Sequence, residues 1–456
     1  MLSDTCGVYK LVHLYPKMKG MYEMKKKAIT ISIGTLLLLV GCGGGGDTGS
    51  SGSAGTKPGS VKPAEKPPEP VTLKMYDVQQ FTDDDFNQLI VEPVKKKYPH
   101  ITIERIAKAN NPIDNVIATK QQLDLVTLWH GGLPSQNLLE YLEDMTPLLQ
   151  KNKFDLNRFD ANALEAVRKV SNGGLFGIPY NVNFNALYYN KDIFDKFGVG
   201  YPKDGMTWDE TIDLAKKLTR MEGGVQYKGL DPDGHVRMMF PLSLNLVDPK
   251  TNKASINSND LMKRVFEMGK TINDIPGNQQ QGSFLNVFPK DKTIAMLATS
   301  NFTSFFRDVP GLNWDIAQYP SYKDRPNVYG MYDLHVMAVP KTSKYKDDAF
   351  KVIEVLMSDD VQLASVRVTG RVSPLKDQKY KDNYGADQPG LKEKNVQALF
   401  KSKPAEAPEF SRFYSEANTI VTAEYKDYLA GKKDVNSALR DAEEKVNQMI
   451  KSKLGQ

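Results

Sequence analysis

The sequence predicts an α/β fold, because strand and helix patterns alternate from residue 71 onward. Apolar residues alternate with other residues over 71–76, as in a half-buried strand. Thr82 and the acidic residues after it are typical of a helix start, and the apolar stripe of a helix continues to 94. Strand patterns return at 101–106 and 123–129, with a helix expected between them. This βαβ alternation favours a sheet covered by helices on both faces.

The length and the cysteine content limit the possible architectures. A chain of 456 residues corresponds to two or three domains, each able to bury a sizeable core. The sequence contains only two cysteines. That number excludes a disulfide-based scaffold and any zinc or iron–sulfur site built from cysteines.

Residues 24–42 have the pattern of an export signal. A methionine and three lysines precede thirteen largely apolar residues at 28–40, which are too few to span a bilayer. The next residues, Gly41 and Cys42, resemble the end of the bacterial lipobox. This resemblance implies that Cys42 is lipidated and begins the mature protein; a cleaved signal with an incidental cysteine is the alternative. Residues 1–23 fit no signal pattern and are expected to be an over-extended gene start.

The charge balance argues against a nucleic-acid-binding protein. Residues 1–41 hold six lysines and two acidic residues, so their removal changes the totals from 60 basic and 55 acidic to 54 and 53. A nucleic-acid binder is expected to carry a concentrated basic face instead. Cys42 would be the only remaining cysteine, so no disulfide could form within the chain. Residues 42–70 are rich in Gly, Ser and Pro and are expected to form a disordered tether.

Two acidic motifs are explained more simply by local structure than by bound metal. The aspartates at 83–85 suit the start of a helix, and residues 231–234 lack the later ligands of a calcium loop, so a turn is predicted there. Thr207 and Glu210 have the spacing of a capping box. Trp208 lies on the apolar face of the helix that this box begins, and is therefore expected to be a core residue. No metal or cofactor is expected.

Six stretches, in this order and spacing, resemble the extracellular solute-binding proteins, family 1, of bacterial ABC importers. They are residues 139–149, 174–180, 186–194, 207–210, 292–296 and 336–341. The resemblance covers 71–456. It implies a two-lobed, periplasmic-binding-protein-like fold of type II, in which strands cross between the lobes and the ligand is held in the cleft.

The resemblance also implies where the two lobes begin and end. Lobe 1 is expected to comprise 71–182 plus 333–372, and lobe 2 to comprise 183–332 plus 373–456. The crossings are expected near 180–185, 329–333 and 371–375.

Binding a sugar in such a cleft requires flat apolar faces for its C–H surfaces and converging polar groups for its hydroxyls. Each hydroxyl that loses water without gaining a hydrogen-bond partner weakens the binding free energy by about 1–3 kcal/mol. Ligands of open α/β sheets lie beyond the carboxyl ends of the strands. The side chains expected there are Tyr76, Asp77, Gln79, Trp129, His130, Tyr180, Asn181, Asn183, Ser300, Asn301, Phe302, Tyr329, Tyr332 and Arg371.

Structural roles compete with ligand binding at most of these positions. Trp129 could belong to a lobe core, and the three tyrosines at 180, 329 and 332 could pack the hinge. Asn181 and Asn183 could be turn residues, and Arg371 could hold a crossing or pin a carboxylate. His130 is expected to form hydrogen bonds and not to act as a base, because no nucleophile motif accompanies it. His335 is expected to be an ordinary sheet residue.

The resemblance implies a lipid-anchored, monomeric binding protein on the outer face of the bacterial cytoplasmic membrane. It would capture a carbohydrate, with an oligosaccharide favoured, and deliver it to the permease subunits of an ABC importer. A ligand-sensing lipoprotein of the same fold is an alternative. An enzyme is disfavoured because the sequence has no G-x-S-x-G, H-E-x-x-H or phosphate-cradling motif, although distant carboxylates for glycoside hydrolysis could converge.

Overall fold

The computed structural model describes residues 68–79, 81–107, 113–119, 121–135, 138–279 and 282–455. The predicted signal, the lipidation site at Cys42 and nearly all of the tether lie outside these residues. The folded unit begins at Glu69.

Twelve strands form two separate five-stranded sheets and one two-stranded sheet within the described residues. They are β1 (Val71–Asp77), β2 (Ile101–Ala107), β3 (Leu125–Trp129), β4 (Ile178–Asn183), β5 (Asn185–Asn190), β6 (Arg220–Glu222), β7 (Val225–Asp231), β8 (Ile294–Ser300), β9 (Trp314–Gln318), β10 (Val328–Met331), β11 (Asp333–Ala338) and β12 (Lys403–Ala405).

Helices surround both larger sheets. They are α1 (Asp83–Phe86), α2 (Glu92–Lys97), α3 (Ile113–Ala118), α4 (Leu138–Tyr141), α5 (Thr146–Lys151), α6 (Ala161–Lys169), α7 (Lys191–Phe197), α8 (Trp208–Leu218), α9 (His235–Met239), α10 (Asp260–Asn273), α11 (Phe284–Asn286), α12 (Thr303–Phe306), α13 (Lys346–Leu356), α14 (Asp359–Ala364), α15 (Lys379–Asp382), α16 (Tyr414–Leu429) and α17 (Val435–Leu454). A π-helical segment, Asn87–Val91, joins α1 to α2.

The helix starts follow the signals in the sequence. The hydroxyl of Thr82 accepts a hydrogen bond from the backbone N–H of Asp85 at 3.1 Å. Thr207 and Glu210 form the predicted capping box, in which each side chain accepts from the other residue's backbone N–H. Trp208 is 1% exposed, so its predicted place in the core is confirmed.

The first sheet has the strand order β2-β1-β3-β11-β4. β1 runs parallel to β2 and β3, and β11 runs antiparallel to β3 and β4. The carboxyl ends of β1, β2, β3 and β4 therefore lie at one edge, together with the beginning of β11. The mixed α/β architecture predicted from the strand and helix patterns is confirmed.

The second sheet has the order β6-β7-β8-β5-β9, with β7 parallel to β8 and β5 antiparallel to β8 and β9. The carboxyl ends of β7, β8 and β9 consequently share one edge with the beginning of β5.

The two sheets are connected by very short links. β4 ends at Asn183 and β5 begins at Asn185, so a single residue, Phe184, separates a strand of one sheet from a strand of the other. Tyr332 alone separates β10, a strand of the two-stranded sheet, from β11 in the first sheet. A third chain segment, at Val372, lies beside the end of β4, because Val372 forms an antiparallel bridge with Val182. The link at Phe184 places the carboxyl end of β4, in the first sheet, next to the beginning of β5, which lies on the carboxyl edge of the second sheet.

No described helix is both long enough and apolar enough to cross a lipid bilayer.

Candidate functional site

Polar groups from both sheets meet where the two carboxyl edges face each other. The backbone N–H of Asn301, after β8, donates to Oδ1 of Asn183, at the end of β4, over 3.4 Å. The Asn301 amide also donates to the carbonyl of Gly370 at 2.9 Å. The Asn185 amide donates to the carbonyl of Tyr329 at 2.8 Å. Asn183 and Asn301, predicted separately from the sequence, are thus neighbours at the junction of the two sheets.

A charged cluster lies at the same junction and was not predicted from the sequence. The guanidinium of Arg237, in α9, lies 3.3 Å from Oδ2 of Asp233 and 3.5 Å from Oδ2 of Asp333 at the start of β11. The Thr299 hydroxyl donates to Oδ2 of Asp233 at 2.6 Å, and the Asn183 amide donates to Oδ2 of Asp333 at 3.0 Å. The cluster therefore joins residues that follow β7 in one sheet to residues at the edge of the other.

Burial changes the ionisation of Asp233. Its side chain is one-fifth exposed, and removal from water raises its pKa to about 6, although Arg237 and the Thr299 hydroxyl favour the charged form. The backbone N–H of Asp233 donates to Oδ1 of Asp231 at 3.0 Å, which closes an Asx turn where a turn was predicted, and Asp233 and Gly234 both have positive φ, of 53° and 85°. A turn directly after a strand is the position expected of a site residue, but no strand was predicted from the sequence before this turn.

Four rings cluster around the end of β3. The indole of Trp129 lies 5.1 Å from the ring of Phe410 and 5.5 Å from that of Tyr414, measured between centroids. The imidazole of His130 is 5.7 Å from Phe410. Trp129 is half-buried, whereas Phe410 is 2% exposed and joins the core. Phe410 and Tyr414 were not predicted, because they lie some 280 residues from Trp129 in the sequence and follow no strand.

Gly131 packs against the indole of Trp129. A Cβ atom at this glycine would lie 2.5 Å from two carbon atoms of the ring, closer than van der Waals contact allows. The absence of a side chain at 131 therefore allows the indole to occupy this position.

His130 is a neutral hydrogen-bonding group. It is fully buried, and burial lowers its pKa to about 4. Its Nδ1 atom accepts a hydrogen bond from the backbone N–H of Leu334 at 3.2 Å, so the neutral ring carries its proton on Nε2. Nε2 has no hydrogen-bond partner among the described residues.

The predicted residues around β1 are engaged within the first sheet. Asp77 is fully buried, and its Oδ2 accepts from Nη2 of Arg105 at 2.7 Å and from the backbone N–H of Phe81 at 2.8 Å. Its Oδ1 accepts from the Thr127 hydroxyl at 2.9 Å. Tyr76 is also fully buried. The backbone N–H of Gln79, which is half-buried, donates to the Thr127 hydroxyl at 3.2 Å.

Tyr180 and Arg371 both pack on Phe81. The rings of Tyr180 and Phe81 are stacked, with centroids 5.4 Å apart, and Tyr180 is 2% exposed. The Arg371 guanidinium lies 4.7 Å from the Phe81 centroid, and its Nη2 is 3.0 Å from Oδ2 of Asp85. Burial raises the pKa of Tyr180. These contacts favour structural roles for both residues.

Asn181 and His335 are neighbours across β4 and β11. The Asn181 amide nitrogen is 3.2 Å from Nδ1 of His335. Burial lowers the pKa of His335 to about 4, so the ring is neutral at physiological pH. Asn181 lies within β4 and is 3% exposed; it is not a turn residue.

The remaining predicted residues, three with aromatic rings and one serine, lie near the links between the sheets. Tyr329 is buried, and Tyr332 donates its hydroxyl hydrogen to Oδ2 of Asp160 at 2.9 Å. Tyr332 also borders a cavity of about 240 Å³. The backbone N–H of Phe302 donates to the Tyr188 hydroxyl at 3.1 Å. Ser300, the last residue of β8, is buried.

Within the described residues, no group of three or more His, Cys, Asp or Glu side chains is arranged to hold a metal ion.

Comparison with known proteins identifies relatives of this chain. The family model described as "Bacterial extracellular solute-binding protein" matches residues 89–391. The sn-glycerol-3-phosphate-binding periplasmic protein UgpB of Rhizobium meliloti (strain 1021) is 22% identical over 404 residues, which cover 82% of this chain and 89% of that protein.

Solved structures share the fold at low sequence identity. An ABC substrate-binding protein from Listeria monocytogenes, in complex with cycloalternan, has a TM-score of 0.71 and 20% identity, covering 84% of this chain and 99% of that one. The sugar-binding protein MalE from Xanthomonas citri has a TM-score of 0.65 and 18% identity, covering 84% and 98%. The two-lobed fold is therefore present here, as predicted.

Proposed function

Because the chain belongs to the bacterial extracellular solute-binding protein family, we propose that it captures a carbohydrate between its two lobes for an ABC importer. An oligosaccharide is the preferred ligand. The observation that carries the proposal is the meeting of the carboxyl edges of two sheets, lined by aromatic rings, amide groups and the paired charges of the Arg237 cluster. The lobes are assigned to 71–182 plus 333–372 and to 183–332 plus 373–456.

The aromatic side chains supply surfaces for the C–H faces of a sugar. Trp129 is half-buried and rests on Gly131, which leaves part of the indole accessible at the end of β3. Phe302 is half-buried at the end of β8, on the other sheet. Stacking on rings from both sheets would join the lobes around one ligand.

Hydrogen bonding to sugar hydroxyls is supported by donors and acceptors on both edges. The Nε2–H of His130 and the amides of Asn183 and Asn301 belong to this set. Each hydroxyl that loses water without gaining a partner costs about 1–3 kcal/mol, so such groups must converge on the ligand. Neutral amides and a neutral imidazole suit an uncharged ligand.

A phosphorylated ligand, suggested by the name of the R. meliloti relative, is less well supported. The buried arginines near the junction are already paired with carboxylates. Arg371 pairs with Asp85, Arg105 with Asp77, and Arg237 with two aspartates. A phosphate would have to displace those partners, at the cost of leaving buried carboxylates uncompensated.

Ligand binding is proposed to draw the lobes together about the links at Phe184 and Tyr332. A ligand shifts such an equilibrium only by its differential affinity for the two forms, so it must contact both lobes. Hinge closure of this kind is known for periplasmic binding proteins, and the closed form is what the permease subunits would recognise.

Export and anchoring complete the proposal. Lipid attached at Cys42 would hold a monomer at the outer face of the cytoplasmic membrane, with residues 42–70 as tether; two acyl chains anchor firmly where one is marginal. No nucleic acid or cofactor is assigned a role, and catalysis is not proposed, since the relatives named above are binding proteins. A sensing lipoprotein remains the alternative, and the presence or absence of two permease genes in a neighbouring operon would separate it from transport.

The decisive experiment is a thermal-shift screen over mono- and oligosaccharides. A ligand at one hundred times its Kd should add about 2.7 kcal/mol to the free energy of unfolding. Trp129→Ala should abolish the shift, whereas Trp208→Phe, a change in the core away from the junction, should retain it. Small-angle scattering with the bound sugar should give a smaller radius of gyration. An unchanged radius, or a full shift in Trp129→Ala, would refute the proposed binding mode.

A further inference from the structure

The hairpin formed by β6 and β7 ends the second sheet with an open edge. β6 is the outermost strand of that sheet and pairs with β7 alone. Gly223 and Gly224, with φ of 57° and 80°, form the two-residue turn between the two strands. All three residues of β6 are exposed. An exposed edge of this kind is a template to which a further strand can pair.

Met221, the middle residue of β6, directs its backbone toward the open edge. In a hairpin with a two-residue turn, the pair beside the turn, here Glu222 and Val225, exchanges both backbone hydrogen bonds. The next pair, Met221 and Gln226, does not, because bonded and non-bonded pairs alternate along an antiparallel ladder. The N–H and C=O groups of Met221 consequently point away from β7, toward the side on which no described strand lies.

The side chains of β6 are complementary to those of a second β6 that runs antiparallel to it. Met221 is 67% exposed, the largest exposed fraction of any large apolar side chain in the described residues. If Met221 lies opposite Met221 of a second copy, each Arg220 faces Glu222 of the other copy. Opposite charges attract across paired strands. Edges that avoid pairing carry lysine, proline or a bulge, and β6 has none of these.

Aromatic rings support the arginine on this strand. The guanidinium of Arg220 lies 4.4 Å from the ring centroid of Phe197, and that ring lies 5.1 Å from the ring of Tyr227. Tyr227 is also the residue opposite Arg220 in the hairpin. Neither Arg220 nor Glu222 forms a salt bridge within the described residues. Both charges are therefore available to a second copy.

We propose that two copies of this chain pair through their β6 strands, so that their second sheets become one continuous sheet. The inference goes beyond the proposed function and relies on it only for the lipid anchor, which concentrates the copies. A three-residue strand buries far less than the roughly 1,200 Å² of a stable interface, so the chain stays monomeric in dilute solution. Copies anchored to one membrane meet at a much higher local concentration, which suffices for a weak contact.

Pairing through β6 leaves both ligand clefts free. The hairpin turn lies at the amino end of β7, whereas the carboxyl end of β7, at Asp231, lies on the edge that faces the junction of the two sheets. The second copy would therefore attach to the end of the second sheet that is opposite the cleft.

The test is disulfide formation by Met221→Cys in the lipidated chain, held in phosphatidylcholine vesicles. Lipid occupies the sulfur of Cys42, so the introduced thiol is the reactive one. Hydrogen-bonded antiparallel pairs have Cα atoms about 5.5 Å apart, which is within disulfide range. Val225→Cys is the matched control, because Val225 is also exposed, at 40%, but two strands would separate it from its counterpart. Met221→Cys should cross-link and Val225→Cys should not.

A charge exchange tests the register. Added to Met221→Cys, Arg220→Glu places like charges opposite each other twice and should reduce cross-linking at least about fivefold. Further addition of Glu222→Arg reverses both charges and should restore it. Equal cross-linking in all these variants and in Val225→Cys would overturn the proposal, and so would a failure of the double exchange to restore it.

Failure of the anchor is recognised separately. A chain that carries no lipid does not stay on the vesicles, which would refute the anchoring in the proposed function. The same cross-linking, with Cys42→Ser and the chain at about 1 mM in solution, then decides the β6 contact by itself. Absence of the Met221→Cys disulfide under both conditions would refute the pairing while leaving sugar capture untouched.

Discussion

Arg237 and Asp333 form an ion pair that joins the two sheets, with Nη1 and Oδ2 3.5 Å apart. Arg237 is in α9, which follows a strand of the second sheet, and Asp333 is the first residue of β11 in the first sheet. Both side chains are at most about one-fifth exposed. Asp233 shares the same guanidinium, so one cation compensates two carboxylates at the junction.

Arg237→Met is expected to lower the free energy of unfolding by about 2–4 kcal/mol, because it leaves two largely buried carboxylates without a counter-ion. Urea denaturation at pH 7 measures the change. Arg264→Met is the control, since Arg264 pairs with the half-exposed Asp324 and surface pairs contribute about 1 kcal/mol or less. Equal decreases in the free energy of unfolding of the two variants would show that the Arg237 cluster stabilises the protein no more than a surface ion pair does.

The contribution of Asp233 to the free energy of unfolding is expected to change with pH in the opposite direction from that of a surface aspartate in an ion pair. Its pKa is raised from 3.8 to about 6, so the folded state binds the proton more tightly than the unfolded state does. Its contribution to the free energy of unfolding is therefore most favourable below pH 4 and declines as the pH rises through 6, by about 1–3 kcal/mol. The difference between the unaltered protein and Asp233→Asn, measured by denaturation from pH 4 to 7, should follow this course.

Asp324→Asn is the control for that series. Hydrogen bonding to Arg264 lowers the pKa of Asp324, so its contribution is present above pH 4 and is lost as the pH falls further. From pH 4 to 7 the difference for Asp324→Asn should therefore stay nearly constant. A decline with rising pH in both variants would contradict the assignment of Asp233 to a desolvated site.

Features that depend on neighbouring residues could be predicted from the sequence, and features that depend on the meeting of distant segments could not. The caps at Thr82 and Thr207 and the burial of Trp208 follow from spacings of a few residues. The meeting of Asp233 with Asp333 joins positions one hundred residues apart, and nothing in either local pattern predicts it. The contact of Trp129 with Phe410 could not be predicted for the same reason.

Candidate residues at strand ends were predicted more successfully than their partners. Asn183 and Asn301 lie together because each follows a strand whose carboxyl end faces the junction. Asp77 also follows this rule, but Arg105 and Thr127 engage both of its oxygens. Strand position predicts that a side chain is near the site, whereas its availability depends on partners from other strands.

His130→Gln is expected to reduce the acid sensitivity of the protein. The pKa of His130 is about 4 in the folded state against 6.5 ordinarily, so its stabilising contribution is complete above pH 6.5 and is lost as the pH falls toward 4. The unaltered protein should therefore lose about 2–3 kcal/mol more than the variant between pH 7 and 4. Denaturation at several pH values measures this difference.

His235→Gln separates this stability effect from ligand binding. Burial also lowers the pKa of His235 to about 4, but its ring packs on Phe266 and Tyr425. Both variants should show reduced acid sensitivity, while only His130→Gln should bind sugar more weakly at pH 7. Normal sugar affinity in His130→Gln would remove Nε2 of His130 from the proposed site.

Gly131→Ala is expected to weaken sugar binding by displacing the indole of Trp129. The added methyl group would lie 2.5 Å from the ring, so the indole must rotate away from its position at the end of β3. Gly132→Ala is a closely matched control, since its methyl group would meet the same ring at 3.9 Å, an ordinary contact. Titration calorimetry should give a Kd raised about tenfold or more for Gly131→Ala and nearly unchanged for Gly132→Ala.

Tryptophan fluorescence should shift in the Gly131→Ala variant alone. A shifted spectrum with unchanged affinity would mean that the sugar does not stack on Trp129, and an unshifted spectrum would mean that the indole is not held by Gly131.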